Sequence, residues 1–386
     1  MAAISSITPF VVNLSPKSNW FFVRVTNDAG VHGYGEATLY GRETEQLAAL
    51  EAMKSMVVGR DAQHLHVGVP PNGGLVASSV VSALEQAIND VRARELGVPI
   101  YKNLGSPWQR TAIRMYANIN RRTEDRSPEG FAASARDALK QGFLAIKIAP
   151  FDGVVPQELG TAESRALIDA GIARIHATRD AIGAHTVLMV DCHWRFDAKT
   201  AAAVLKELKS AKLFWFECPI AETEDNYAAL KKLRRTAHRI ETRLAGAEQA
   251  IGVEGFKPYV EGGLYDVVMP DVKYVGGYYE MLRIAELCQR NKVDFAPHNP
   301  TGPVCTMASL HVSAVAPNFL LLEHQLGESP LYHELVRGAH PQVRDGCFEV
   351  PNVPGLGIDL DEDLMRAHPY QPLTNVRAAR LGQGGR

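Results

Sequence analysis

The sequence predicts an α/β protein in which an α+β amino-terminal unit precedes a (β/α)8-type barrel. Three observations predict it. From about residue 111, short apolar runs alternate with amphipathic segments of helical period. Eight such runs occur, with helices between most of them. Seven of the eight carry an ionisable residue at or just past their end. At 386 residues, 46% hydrophobic and 22% charged, the chain has the size and composition of a globular enzyme of two domains, one of them large. A formal charge of −2 offers no basic field for nucleic acid, and no apolar run approaches the length of a membrane span. The opening MAAISSITPF has neither the charged nor the long apolar region of a signal peptide. Five scattered cysteines, at 192, 218, 288, 305 and 347, form no CxxC pair; reduced thiols, a cytoplasmic setting and no structural zinc are expected. Cys192 and Cys218 directly follow candidate ligands and read as small buried thiols.

The elements follow in order. Within residues 1–110, WFFVRVTNDAGVHGYGEA reads as strand, Asn-Asp-Ala-Gly turn, strand. Gly30, Gly33 and Gly35 are expected to be hairpin glycines; no helix opens there to make a phosphate loop. Helices are predicted in TEQLAALEAMKSMV and VVSALEQAINDVRARELG, the second ending at Gly97 with Pro99 beyond. The barrel region, 111–325, has strands predicted in IRMYANI, LAIKI, VLMV, LFWF, RLAGA, DVVM, VDFA and FLLL. A helix starts at SPEGFAASARDALKQG, where Ser127 caps, Pro128 suits the first turn, and Phe131, Ala135, Ala138 and Leu139 share a face. The segment 326–386 is rich in Gly and Pro without sustained periodicity, and its closing RLGQGGR is expected to be mobile.

The strand ends present Lys147 (AIKIAP), Asp191 and His193 (VLMVDCH), Glu217 (LFWFECP), Glu248 (RLAGAEQ), Asp271 (DVVMPDVKYVGG), His298 (VDFAPHNPTGP) and Glu323 (FLLLEHQ). From Asp191 onward they recur every 23 to 31 residues, about one strand–helix excursion. Parallel barrel strands would gather them at one rim. Any one of them also reads as a cap or turn former; seven in succession do not. Period-2 geometry places Asp191 and His193 on one side of an extended chain. Asp191, Glu217 and Glu248 would repel one another without a counterion. A hard divalent cation resolves that, and an all-oxygen set favours Mg²⁺ completed by water and substrate; a set of surface carboxylates is the alternative. His298 and Asp271 lie on neighbouring strands, and a carboxylate against an imidazole suits a general base. Lys147 is expected to point its ammonium into the site toward a bound carboxylate, with Glu323 a hydrogen-bond partner on the far side.

Over nearly its whole length the chain resembles the enolase superfamily, specifically the mandelate racemase subgroup. VRVTNDAGVHGYGEA resembles that family's capping-domain hairpin, and VVSALEQAINDVRARELGVPIYKNLG its helix leading into the barrel. Asp191, Glu217 (ECP) and Glu248 (AGAEQ) match its magnesium ligands; Asp271 (MPDVKYVGG) and His298 (APHNPTGP) match its Asp–His dyad. The resemblance implies a modified (β/α)7β TIM-type barrel with an α+β capping domain, onto which the carboxy-terminal segment packs back, and a homo-oligomer. One departure stands out. The subgroup has Lys-x-Lys after the second strand, the second Lys being a base, whereas this chain reads Lys147-Ile148-Ala149. DCHWR instead is similar to the Asp-x-His-x-Arg of the galactonate dehydratase branch, which makes His193 a second acid/base group.

That resemblance implies Mg²⁺-dependent abstraction of a proton α to a carboxylate, then loss of the β-hydroxyl, converting an aldonate or aldarate into a 2-keto-3-deoxy acid. A racemase, epimerase or lactone cycloisomerase of the same superfamily is the nearest rival. A zinc amidohydrolase would want His-x-His where the chain reads RMYANIN, and a binding protein would have no need for ligands and dyad together. Trp194 and Arg195 are candidate contacts for the distal end of substrate, or a solvated turn. Trp20 and Asn19 could close over substrate or pack within the cap, and Asn118 and Asn120 are further candidates. Lys273, two residues past Asp271, could face the same way or make a structural salt bridge, the latter being favoured, and His324 reads as a packing residue.

Overall fold

An antiparallel sheet opens the chain: β1 (Ile4–Ser15), β2 (Ser18–Asn27) and β3 (His32–Glu36), in the order β1-β2-β3. The computed structural model describes residues 2–69, 73–107, 109–338 and 342–373. β2 and β3 are the predicted hairpin, turning through Gly30 at φ 81°. β1 has no counterpart among the predicted strands. Its serines, Asn13 and Pro9 disguise it, and it tolerates Pro9 because it is an edge strand. The helices α1 (Glu43–Val57) and α2 (Gly74–Glu95) follow, then the short α3 (Ile100–Asn103). Gly33 and Gly35 lie in the hairpin as expected, paired with Val25 and Val23, but in its strand and not its turn. They are strand residues beneath α2, where an added Cβ would lie 2.5 Å from Ala87 O and 1.9 Å from Ala83 O respectively.

Strand and helix then alternate: β4 (Ala112–Asn118), α4 (Pro128–Lys140), β5 (Ala145–Ile148), α5 (Ala162–Ile182), β6 (Val187–Asp191), α6 (Ala198–Glu207), β7 (Trp215–Glu217), α7 (Tyr227–His238), β8 (Arg243–Gly246), α8 (Gly252–Val260), β9 (Val267–Val268), α9 (Tyr278–Asn291), β10 (Asp294–Phe295), α10 (Pro303–Val315) and β11 (Leu322–Gln325). The eight strands run parallel in the order β10-β9-β8-β7-β6-β5-β4-β11, and the two ends meet at a single bridge, Phe295↔Phe319. Seven helices for eight strands make this (β/α)7β, as the resemblance implies, rather than a full (β/α)8. β11 begins three residues later than the FLLL run, so Glu323 lies inside the strand and not beyond it.

Period-2 alternation divides the barrel's side chains. Tyr116, Met189, Trp215, Ala245 and Val267 pack together in one cluster, while Ile146, Leu188, Val190, Phe216 and Leu244 join the large core shared with the helices. α4 begins as predicted: Ser127 Oγ accepts from Gly130 N at 3.0 Å with Pro128 in the first turn.

Past β11 the expected irregular stretch holds α11 (Leu331–Glu334), β12 (Val336–Gly338), β13 (Cys347–Glu349), β14 (Ile358–Leu360) and α12 (Glu362–Ala367). They are too short for periodicity to reveal them. β13 lies antiparallel on the first half of β4, and the chain then reaches the cap, where Asn13 N donates to His368 O at 2.9 Å and Asn19 Nδ2 to Gln371 O at 3.0 Å. The expected mobility of RLGQGGR falls on residues outside those described. Among the described residues no helix is long and apolar enough to cross a membrane.

Candidate active site

In-register pairing at the strand ends assembles the acidic cluster. Asp191 and Glu217 close β6 and β7 as direct ladder partners, and Glu248 follows β8. One carboxylate oxygen from each lies within 4.8 Å of the others, and all three side chains are buried. Burial pushes Glu217 and Glu248 up, and neighbouring carboxylates add to the effect. Burial would raise Asp191 as well, but His193 and Lys147 outweigh it and hold it low. Three acidic groups in so small a space fit a hard cation: an oxygen-only donor set whose mutual repulsion a divalent ion cancels.

Lys147, on β5, reaches the carboxylates of Glu217 on β7 and Glu323 on β11. Its Nζ lies 2.7 Å from Glu217 Oε1 and 2.8 Å from Glu323 Oε1. Burial opposes its charge, and the two glutamates more than restore it. Glu323 is also fixed by Asn118 Nδ2 at 2.8 Å and Asn299 N at 3.0 Å. Burial would raise Glu323, but Lys147, His298 and the Asn299 amide hold it low.

His298 Nδ1 lies 2.7 Å from Asp271 Oδ2, which also takes the Lys273 ammonium, as expected. Burial would raise Asp271, but Lys273 and His298 keep it ionised; burial lowers His298 against the pull of Asp271. Nδ1 is thus committed to Asp271. Nε2 is left facing the acidic cluster, 3.5 Å from Glu248 Oε2.

His193 meets Asp191, though not by extended alternation. His193 and Trp194 have φ of 47° and 56°, so the chain curls as it leaves β6. The curl brings His193 Nε2 to 2.8 Å from Asp191 Oδ2 while its backbone N donates to Oδ1 at 2.8 Å. Two consecutive left-handed residues that are not glycine are costly and mark a locally constrained turn.

A cavity of about 290 Å³ lies over this rim. Lys147, Asp191, His193, Glu248, Lys273, His298 and Glu323 line it, as do Asn118, Asn120, Trp194 and Arg195, with Glu217 and Asp271 buried behind. Asn19 lines it too, but Trp20 does not. Trp20 is 1% exposed and packs edge-on against Phe22 and Tyr332, because alternation along β2 turns it away from the side Asn19 faces. Cys192 and Cys218 are buried thiols, and His324 stacks on Phe143 as expected. Sequence reasoning missed Ser18, Thr38 and Tyr40 from the cap and Arg121, Gln249, Tyr274 and Gln325 from the barrel. Gln325, two residues past Glu323 on one strand, was open to period-2 reasoning; of the cap residues, Ser18 opens β2, and Thr38 and Tyr40 follow β3 in a stretch without a pattern. A second cavity of about 250 Å³ shares Tyr40, Asn120, Asp191, His193 and Arg195 and extends over Ala149.

Comparison with known proteins agrees with this fold. Residues 5–105 match the mandelate racemase/muconate lactonizing enzyme N-terminal domain, and residues 130–364 match the enolase C-terminal domain-like family. A D-xylonate dehydratase of Haloferax volcanii is 32% identical over 367 residues, 90% of this chain and 85% of that protein. A D-galactonate dehydratase of Ralstonia pickettii (strain 12J) is 30% identical over 359 residues, 90% of each. A crystal structure of a mandelate racemase/muconate lactonizing enzyme from Jannaschia sp. CCS1 is similar at TM-score 0.84 and 26% identity, covering 96% of this chain and 98% of that one.

Proposed function

The chain belongs to the mandelate racemase/muconate lactonizing enzyme family of the enolase superfamily, and from that premise we propose that it is a Mg²⁺-dependent dehydratase of sugar acids. An aldonate or aldarate would lose its α-proton and its β-hydroxyl and leave as a 2-keto-3-deoxy acid. The observation that carries this reading is the opposition of two imidazoles across one acidic cluster. His298 follows β10 and His193 follows β6, four strands apart in a ring of eight.

Asp191, Glu217 and Glu248 would hold the cation, which when bound supplies positive charge against the substrate carboxylate. The remaining work falls to side chains. His298 Nε2 takes the α-proton, with Asp271 fixing the tautomer and favouring the imidazolium that results. Lys147, held charged between Glu217 and Glu323, stabilises the negative charge that develops on the carboxylate. Glu323 and Asn118 keep the ammonium in place. His193 as imidazolium gives its proton to the departing β-hydroxyl, which leaves as water, and the enol tautomerises to the ketone. The names of the xylonate and galactonate dehydratase relatives support the reaction class. A racemase or epimerase is the second reading, since His193 stands where a second base could act; Ala149 offers none.

The test is a screen of sugar acids with Mg²⁺ for 2-keto-3-deoxy product. His298→Asn is expected to abolish turnover and leave the fold intact. His193→Asn is expected to keep α-proton exchange in D₂O and lose dehydration. Full activity in His298→Asn would overturn the assignment of the base, and epimerised substrate without keto acid would favour the second reading.

A further inference from the structure

One buried carboxylate outside the cluster and the dyad ties the cap to the loop that carries His298. Glu36 closes β3 and has no exposed surface. Its Oε1 accepts from Thr38 Oγ1 at 2.8 Å, Thr301 Oγ1 at 2.5 Å and Gly302 N at 2.8 Å, and its Oε2 from Cys305 N at 2.9 Å. The last two donors belong to the start of α10, whose amides lack helical partners and favour negative charge.

Both sides of this contact lead to the cavity. On the cap side, the Glu36 backbone is clamped to α2 by Gln86, through N to Oε1 and Nε2 to O, each 3.2 Å. Thr38, which hydrogen-bonds the carboxylate, lines the cavity and also accepts from Phe21 N at 3.0 Å. On the barrel side, Thr301 and Gly302 are the third and fourth residues after His298. Asn299 between them is held to Glu323 through its backbone N and, by Nδ2, to the Glu323 carbonyl, each at 3.0 Å. The His298 loop therefore hangs between two carboxylates, Glu323 on the barrel and Glu36 on the cap. Gly302 fits this arrangement: an added Cβ would lie 2.8 Å and 2.9 Å from the two oxygens of Glu36.

We propose that Glu36 is a positioning residue for His298, holding the 298–302 loop against the cap so that the imidazole and the cap wall at Thr38 and Tyr40 face one substrate in register. The proposal rests on the reading of His298 as the base. A base displaced by about 1 Å loses on the order of a hundredfold in rate, so an anchor three residues away acts on catalysis without touching substrate.

Glu36→Gln and Gly302→Ala test it, with His298→Asn as a reference. Each is assayed well below its Tm for kcat and KM on the sugar acid turned over by the wild type, and for α-proton exchange in D₂O. Both variants are expected to lose about ten- to hundredfold in kcat and in exchange with KM within about twofold. The double variant should be no worse than the poorer single one, because both break the same contact. Gly302→Ala keeps the carboxylate, so it carries the test if Glu36→Gln does not fold. A lowered Tm with wild-type kcat per folded molecule would make Glu36 a structural latch and overturn the proposal. Turnover surviving in His298→Asn would instead bring down the functional reading on which it rests.

Discussion

Glu85 illustrates how burial alone can set one residue's behaviour. It lies on α2 at 3% exposure, accepts from Val67 N, and has Arg92 and His66 as its charged or titratable neighbours, His66 Nδ1 at 3.9 Å. Burial pushes its carboxyl up to about 7 against the opposing pull of the Val67 amide, Arg92 and Asn89. The folded protein therefore holds this proton at pH values where the unfolded chain, with an ordinary value of 4.5, has released it. Its contribution to stability is fully present below pH 4.5 and is lost as pH rises to about 7. Glu85→Gln should accordingly raise Tm by a few degrees at pH 8 relative to wild type, with the gain fading toward pH 4.5. A Tm difference that does not change with pH would refute this. At this scale the sequence was informative about chemistry and poor about direction. Trp20 is the expected substrate contact, yet its neighbour Asn19 is the one that lines the cavity, because the two occupy opposite sides of β2.

At the scale of elements, β3 approaches α2 closely enough to require glycine at Gly33 and Gly35. Gly35→Ala would drive a methyl into the Ala83 carbonyl, 1.9 Å away, and backbone cannot yield as a side-chain tip can. A loss of about 3 kcal/mol or more is expected by urea denaturation. Gly30→Ala is the control: at φ 81° with nothing within 4 Å, it should cost about 1 kcal/mol from backbone strain alone. Equal losses would mean that strain and not contact decides. Elements whose start is written in local chemistry, such as α4 with Ser127 and Pro128, were legible to the residue. β11 was not. Its strand comprises the end of an apolar run and the polar His324 and Gln325, and only pairing with β4 sets the register.

For the whole molecule, a cation bound at the acidic cluster would be coupled to the stability of the barrel. Three strands meet at Asp191, Glu217 and Glu248; Lys147 and His193 offset part of the repulsion among them, and a bound ion would offset the rest. MgCl₂ should raise Tm and EDTA reverse it; at a hundred times Kd the gain is about 2.7 kcal/mol. Glu248→Gln should show the opposite pattern, a higher Tm than wild type in EDTA and little or no rise with Mg²⁺. If Mg²⁺ stabilises that variant as fully as the wild type, the ion binds elsewhere. The chain's return from β11 to the cap belongs to this scale too, and the Gly- and Pro-rich sequence of that segment hid three short strands.

The amino-acid sequence by itself determined the alternation of strand and helix, the residue that each strand end presents, and hence the chemistry gathered at one rim. Those features are local: apolar period and chain direction decide them, and seven strand ends repeat the message. Only the tertiary structure decided that the chain curls after Asp191 to bring His193 back onto it, that Trp20 is buried while Asn19 faces the cavity, and that Glu36 joins the cap to the His298 loop. Each of these depends on a contact between segments far apart in sequence or on a turn that no period encodes, and such contacts exist only once the two layers have packed.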